Sequence, residues 1–326
     1  MGEMSRIERE GVSMDGTDSQ HGAGEPGAGR ADVATEAFLA HRNLLFTVAY
    51  EMLGSAADAE DVLQETWLRW VGVDLDEVRD QRAYLVRIAT RQALTRLRTV
   101  GRRRESYVGS WLPEPLLTSP DVAADVEFAE SVSMAMLLVL ETLAPTERAV
   151  FVLREVFDLA YDEIAEAVGK TPAAVRQIAH RARAHVASRR PREMVSPAQT
   201  RVALEAFERA IRTGDMQGLL DILAPDVVLV GDGGGIRQAV PRPITGAWKV
   251  ARLLSARRGR FGGLIAAGLQ HEPVEVNGYP ALILKLDDEI DTVLAVRIDD
   301  GRITGLYAVR NPEKLARMDR ETDLIR

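Results

Sequence analysis

Residues 159–186, LAYDEIAEAVGKTPAAVRQIAHRARAHV, constrain the fold more tightly than any other stretch of the chain. Ile164, Ala165 and Val168 form an apolar stripe at helical spacing, and Gly169 falls where a helix end favours positive φ. Thr171 then offers an N-cap oxygen and Pro172 occupies the first helical position, so a second helix begins at once. Val175, Ala179 and Ala182 continue the inward stripe and leave Arg176, Gln177, His180, Arg181 and Arg183 to point elsewhere. This is the pattern of a helix-turn-helix, whose second helix fits a major groove. A basic helical hairpin with a merely solvated face is the plainer alternative. Two capping signals beside an acid-free basic run argue against it.

The surrounding 326 residues suffice for two or three domains. No segment approaches the roughly 20 apolar residues of a membrane span and the N-terminus lacks an apolar signal core, so a cytoplasmic protein is expected. The absence of Cys excludes disulfides, thiol redox sensing and Cys-based zinc sites, and no cofactor or metal motif is legible. A net charge of −8 argues against a general nucleic-acid coat, so the clustering of basic residues carries the signal.

Composition divides the chain. Residues 1–33 are rich in Gly, Asp, Glu and Ser without periodicity and are expected to be disordered. Residues 34–104 are helical. Residues 105–125 form a linker in which Pro113, Pro115 and Pro120 argue against a continuous helix. Residues 126–190 are helical again, 191–196 are a hinge, 197–315 mix helix and strand, and 316–326 are a tail.

The first helical domain has two chemically distinct faces. A helix over residues 35–53 stops at Gly54, and Ser55 to Asp58 has capping-box spacing for the next. There Val62, Leu63 and Trp67 face a core, while Asp58, Asp61, Gln64 and Glu65 lie on the other side. Such acids commonly form only a solvated face. The following helix carries Arg82, Arg87, Arg91, Arg96, Arg98, Arg102, Arg103 and Arg104 with no Asp or Glu, over a stripe of Leu85, Ile88, Ala89, Ala93 and Leu97. That is the footprint of a phosphate-binding surface.

DAEDVLQETWLRW followed by RAYLVRIATRQALTRLR resembles the second conserved region of bacterial RNA polymerase sigma factors of the extracytoplasmic-function group. Residues 143–186 resemble that group's fourth region; the second-region match departs at Tyr84, where Trp is common, and the fourth-region match at Ala160, in place of a Ser cap. The linker RESYVGSWLPEPL resembles a signature of members that carry a SnoaL-like C-terminal extension. The resemblance implies that Asp61, Gln64 and Glu65 dock on the polymerase β′ subunit. It implies that Arg87, Arg91, Gln92, Arg96 and Arg98 handle the melted minus-ten element. Thr171, Arg176, Gln177, His180, Arg181 and Arg183 would serve the minus-thirty-five duplex. Duplex is read by a helix in the major groove, whereas an opened strand needs a charged groove with pockets for bases.

In the last domain, amphipathic helices come first. Strands are expected at 227–230, 279–286, 292–298 and 302–309, with Asn277-Gly278 and Asp300-Gly301 as hairpin turns. The expected fold is therefore multidomain: two all-α sigma domains followed by an α+β SnoaL-like cone with a curved antiparallel sheet. Asp226, Asp232 and His271 form no recognisable catalytic constellation. Asp232-Gly233-Gly234-Gly235 and Asn311-Pro312-Glu313-Lys314-Leu315 resemble two motifs of the sigma extension, the first departing with Ile236 where Lys is expected. The resemblance implies a fused regulatory domain in place of a separate anti-sigma protein. Core RNA polymerase and promoter DNA are the expected partners, and a small-molecule ligand in the cone is a further candidate. The competing reading is a freestanding helix-turn-helix regulator with an enzyme or sensor domain, which would need no acidic docking helix.

Overall fold

Apolar side chains at three- and four-residue spacing pack the N-terminal part into α1 (Pro26–Leu53), α2 (Ala56–Trp70) and α3 (Gln81–Glu105). The structure, a computed structural model, describes residues 26–189, 195–255 and 269–326. Gly54, at φ +66°, ends α1, and Ser55 Oγ accepts from Asp58 N at 3.2 Å to start α2. Leu45, Val48 and Met52 of α1 meet Val62 and Trp70 of α2 and Leu85, Ala89 and Ala93 of α3 in the core. The Trp70 indole donates to Ala34 O at 2.8 Å. Helix α1 begins inside the stretch expected to be disordered: Ala34 and Phe38 anchor its turns in the core, and the helix continues from them back to Pro26.

The linker runs without helix from residue 107 to 119, bending at 108–109, and its flanks are helical: Glu105 ends α3, and Pro120 opens α4 (Pro120–Ala124) at a position where its missing N–H costs nothing. The second helical domain continues with α5 (Val126–Val132), α6 (Met134–Leu140), α7 (Pro145–Phe151) running into a π-helical stretch (Val152–Val156), α8 (Tyr161–Val168) and α9 (Pro172–Ala187). Its apolar core is continuous with that of the first domain.

The cone follows as α10 (Pro197–Thr213), α11 (Met216–Ile222), β1 (Leu223–Asp232), β2 (Ile244–Thr245), α12 (Ala247–Ser255), β3 (Gln270–Val276), β4 (Tyr279–Leu286), β5 (Glu289–Asp299), β6 (Arg302–Val309) and α13 (Pro312–Leu315). The strand order is β2-β1-β6-β5-β4-β3. Strands β3 to β6 form an antiparallel meander, but β1 pairs parallel to β6, so the sheet is mixed rather than wholly antiparallel. The chain crosses from β1 through β2 and α12 to the far edge before the meander begins, and that crossover sets the parallel pair. Strand β3 is implied by the expected Asn277-Gly278 hairpin turn but has no range among the expected strands. Its Glu272, Pro273 and Glu275 mask the alternation, and Pro is tolerated because β3 is an edge.

Both faces of this sheet are buried. Leu282, Leu284, Leu294 and Leu306 face α10, α11 and α12. Ala281, Ile283, Val293 and Val309 face Leu112 of the linker and Met134 of α6. Residues 316–326 return across the helical domains: Leu324 is buried in their core, Ile325 N donates to Thr47 Oγ1 at 3.1 Å, and Arg326 pairs with Asp125 at 2.8 Å.

Candidate functional site

Helices α8 and α9 meet across Gly169, which sits at φ +67° and ψ +44°. Thr171 Oγ1 accepts from Ala174 N at 3.3 Å, and Pro172 holds the first helical position. Where a Ser cap would stand, Ala160 relies on Glu163, whose carboxylate accepts from Ala160 N at 2.8 Å. Val175, Ala179, Ala182 and also Ile178 are buried. Thr171, Arg176, Gln177, His180, Arg181 and Arg183 are all exposed, with Arg181 and Arg183 within 3.6 Å of Glu147 and Glu155. The recognition face of α9 is open.

The basic helix α3 is held differently. Arg87 pairs with Glu166 of α8 at 3.1 Å, and Arg91 donates to the Glu166 and Ala167 carbonyls at 2.7 and 3.4 Å. Arg96 bridges Asp58 and Asp61 of α2, so an expected DNA contact and an expected polymerase contact satisfy one another. Gln92 is buried and Arg98 exposed. Arg69, Tyr84, Ile88, Arg91 and Gln92 line a pocket of about 200 Å³, with the Arg87 guanidinium 4.4 Å from the Tyr84 ring centroid. An aromatic ring, cations and an amide around such a volume suit a single unstacked base.

On α2, Asp61, Gln64 and Glu65 are exposed together. Leu68, 65% exposed, extends the same stripe at i+7 from Asp61. Its helical spacing from Asp61 was the available signal that it shares this face.

The linker signature and the two cone motifs converge on Asp232, which is fully buried. Its carboxylate accepts from Tyr107 Oη at 2.6 Å, Leu112 N at 2.9 Å, Gly234 N at 3.1 Å and Lys314 Nζ at 2.7 Å. Asn311 Nδ2 donates to Tyr107 Oη at 2.9 Å, and the Lys314 ammonium lies 4.3 Å from the Trp111 ring centroid. Burial and the adjacent Asp232 carboxylate push the Tyr107 phenol well above its usual range. A Cβ on Gly234 would run into the Asn311 side chain, so this glycine allows the two cone motifs to close. Gly233 is buried, Gly235 abuts Val108, Asn311 caps α13 ahead of Pro312 and the exposed Glu313, and Leu315 is buried. Ile236 and Arg237 point outward at the departure from the motif.

The hairpin tip Asn277-Gly278 is a second junction that turn chemistry alone did not reveal. Asn277 donates to Tyr50 Oη at 2.7 Å and Val132 O at 2.9 Å and accepts from Leu116 N at 3.1 Å, touching both helical domains and the linker. By contrast, Asp226 is exposed, Asp232 is occupied by the linker, and His271 lies 3.6 Å from Glu208.

Residues 37–103 match the family model for Sigma-70 region 2, and residues 133–186 match that for Sigma-70 region 4. The ECF RNA polymerase sigma factor SigJ of Mycobacterium tuberculosis is 36% identical over 289 residues, spanning 85% of this chain and 91% of its own. The chain belongs to the ECF RNA polymerase sigma factors. A probable ECF sigma factor of that organism, SigI, is 32% identical over 287 residues, 87% of this chain and 95% of its own. The crystal structure of SigJ superposes with a TM-score of 0.69 at 33% identity, covering 86% of this chain and 98% of SigJ. This sigma factor therefore serves RNA polymerase in promoter recognition and carries a fused C-terminal α+β domain. No helix among its described residues is long and apolar enough to cross a membrane.

Proposed function

We propose that the compact arrangement is a resting form, held by the cone, that opens on the polymerase. The observation that carries this is the contact of Arg87 and Arg91 with α8. The two promoter elements are centred about 25 base pairs apart, roughly 85 Å along duplex DNA at ~3.4 Å per step. Helix α8 packs against both α3 and α9, and packed helix axes lie about 8–10 Å apart. Helices α3 and α9 therefore cannot engage both elements until the two sigma regions separate. Asp232, Lys314 and Asn311 with Tyr107, and Asn277 with Tyr50, act as the fasteners. Supporting a regulatory rather than catalytic cone, Asp226 is exposed, Asp232 holds the linker and His271 lies beside Glu208, so they share no site. A fused fastener of this kind does the work of a separate anti-sigma protein.

In the open form, Asp61, Gln64, Glu65 and Leu68 dock on the polymerase. Arg91, Gln92 and Tyr84 receive an unpaired base of the downstream element, and α9 reads the upstream duplex. Gln64→Arg with Glu65→Arg is expected to abolish association with core polymerase while the melting temperature stays put, since both side chains are exposed and such charge changes alter stability by about 0.5 kcal/mol at most. Resting-state closure is tested by cross-linking. Because the chain has no Cys, Arg87→Cys with Glu166→Cys can be joined by a short bismaleimide without side reactions. The linked protein should fail to initiate transcription while the unlinked double variant transcribes as well as Arg87→Cys alone. Equal transcription by both would discard the proposal.

A further inference from the structure

The three longest runs of this sequence without Asp or Glu are residues 81–104, 167–192 and 233–271. The first is α3 and the second contains α9, the two helices assigned here to promoter DNA. The third lies in the cone, is the longest, and carries Arg237, Arg242, Lys249, Arg252, Arg257, Arg258 and Arg260 in a chain of net charge −8. Its described part includes α12, whose Val250, Ala251 and Leu254 are buried against the rest of the cone. At about 100° per residue, Trp248, Arg252 and Lys249 fall within one arc of roughly 100° on the opposite side. All three are exposed, as is Arg242 just ahead of β2. Among the described residues, Arg242, Lys249 and Arg252 make no ion pair, whereas Arg87, Arg96, Arg181 and Arg183 each have a carboxylate nearby. Trp248, 60% exposed, is a large ring left in water beside these cations.

We infer that this face of α12 is a third DNA-contacting surface, which grips the sugar-phosphate backbone of promoter DNA outside the two recognised elements. Cations within one arc and with no internal partner neutralise phosphates, and an indole among them packs on sugar or base faces. DNA is the occupant because the polymerase complex already brings a polyanion to this chain. Tethering through α3 and α9 then raises its effective concentration at the cone, so a weak contact suffices. The surface has no base-reading requirement and adds affinity without sequence preference.

The inference rests on α3 and α9 binding DNA, and the test separates the two. Holoenzyme made with the full chain is titrated with a fluorescent promoter duplex over a range of salt, alongside R242Q/K249Q/R252Q and the milder K249Q/R252Q. Each lost phosphate contact should lower the slope of log affinity against log salt by about 0.9, so about 2.7 for the triple variant and about 1.8 for the double. Affinity at moderate salt should drop about tenfold or more, with the ratio between promoter and scrambled duplex unchanged. Separately, Trp248→Ala should weaken binding severalfold without altering the slope. Slopes equal to a steep wild-type slope in both variants would overturn the third surface alone, whereas a flat wild-type slope would sink the assignment of α3 and α9. Loss of binding to phosphatidylglycerol vesicles with the DNA slope intact would overturn it in favour of a lipid surface.

Discussion

Helices α3, without an acid before its terminal Glu105, and α9 are both Arg-rich and amphipathic, yet the fold treats them in opposite ways. Helix α9 shows its outward side chains to solvent, while α3 has Arg87 and Arg91 on α8 and Arg96 on α2. The difference fits what each is proposed to bind. A duplex offers a groove from outside and can be met by a preformed helix, whereas an opened strand exists only after melting. A surface for the second is needed later, and covering it until then costs little. In the proposed resting form the cone holds this cover from a distance, since its outer sheet face, the Asp232 cluster and Asn277 contact the linker, α6 and Tyr50 of the first helical domain.

Breaking the Asp232 cluster is expected to have the largest effect. Asp232→Ala leaves the Lys314 ammonium buried without its carboxylate, a loss of about 3–5 kcal/mol. Hydrogen exchange should then accelerate along α3 and the linker and leave α9 as protected as before. If α3 and α9 lost protection together, the node would be holding the whole fold rather than the cover.

The open helix is sharpened by Arg176→Ala. Its place near the N-terminal end of α9 predicts relaxed discrimination at the upstream element by up to about 3 kcal/mol for a bidentate base contact. Promoter variants assayed with holoenzyme would show this as loss of preference at one or two positions. A uniform loss across all variants would reassign Arg176 to phosphate.

Much of this contrast was legible in the sequence, and the reason is local physics. Gly169, Thr171 and Pro172 fix the helix-turn-helix within a few residues, so its exposed side chains follow directly. The near-continuous apolar run 280–284 of β4 also announces a strand covered on both faces, although nothing in it names Leu112 or Met134 as the cover. Asn277 read only as a turn residue, since its partners Tyr50, Leu116 and Val132 are remote in sequence. Arg87 and Arg91 gave no sign of being occupied, because their acceptors on α8 are an exposed carboxylate and two backbone carbonyls. The three motifs around Asp232 were visible one by one through resemblance. Their closure into one node needed the parallel β1–β6 pairing, which carries Asp232 beside Val309 and so toward Asn311.

The seam behind α3 adds a pH dependence. Glu51 of α1 is buried against Ser131 and Arg148, and burial raises its carboxyl from about 4.5 to about 8. Ser131 donates to it at 3.0 Å, while Arg148 donates to the Glu51 carbonyl at 3.1 Å and thereby ties α7 to α1. The native form keeps a proton that the unfolded chain releases between these values. This contribution is therefore full below about pH 4.5 and is lost as pH rises through about 8, with a slope approaching 1.4 kcal/mol per pH unit. Denaturant unfolding of the parent and Glu51→Gln over that range checks it: the variant should lack this part of the slope. Parallel curves would show that Glu51 is ionised in the native seam.

The smallest expected effect belongs to Glu166, and it discriminates how α3 is covered. Its carboxylate is 68% exposed, so its pair with Arg87 contributes no more than about 0.5 kcal/mol. Arg91, in contrast, is anchored on backbone carbonyls that no side-chain replacement removes. Glu166→Ala should therefore raise affinity for a single-stranded downstream-element oligonucleotide only about twofold, read by fluorescence anisotropy of the isolated chain. The gain should shrink with added salt, because an exposed pair is screened while a carbonyl contact is not. A tenfold gain would mean that one surface ion pair is the latch, and the Asp232 node would then be incidental to closure. A fall in affinity would mean that α8 presents α3 to the strand instead of covering it, reversing the contrast between the two helices.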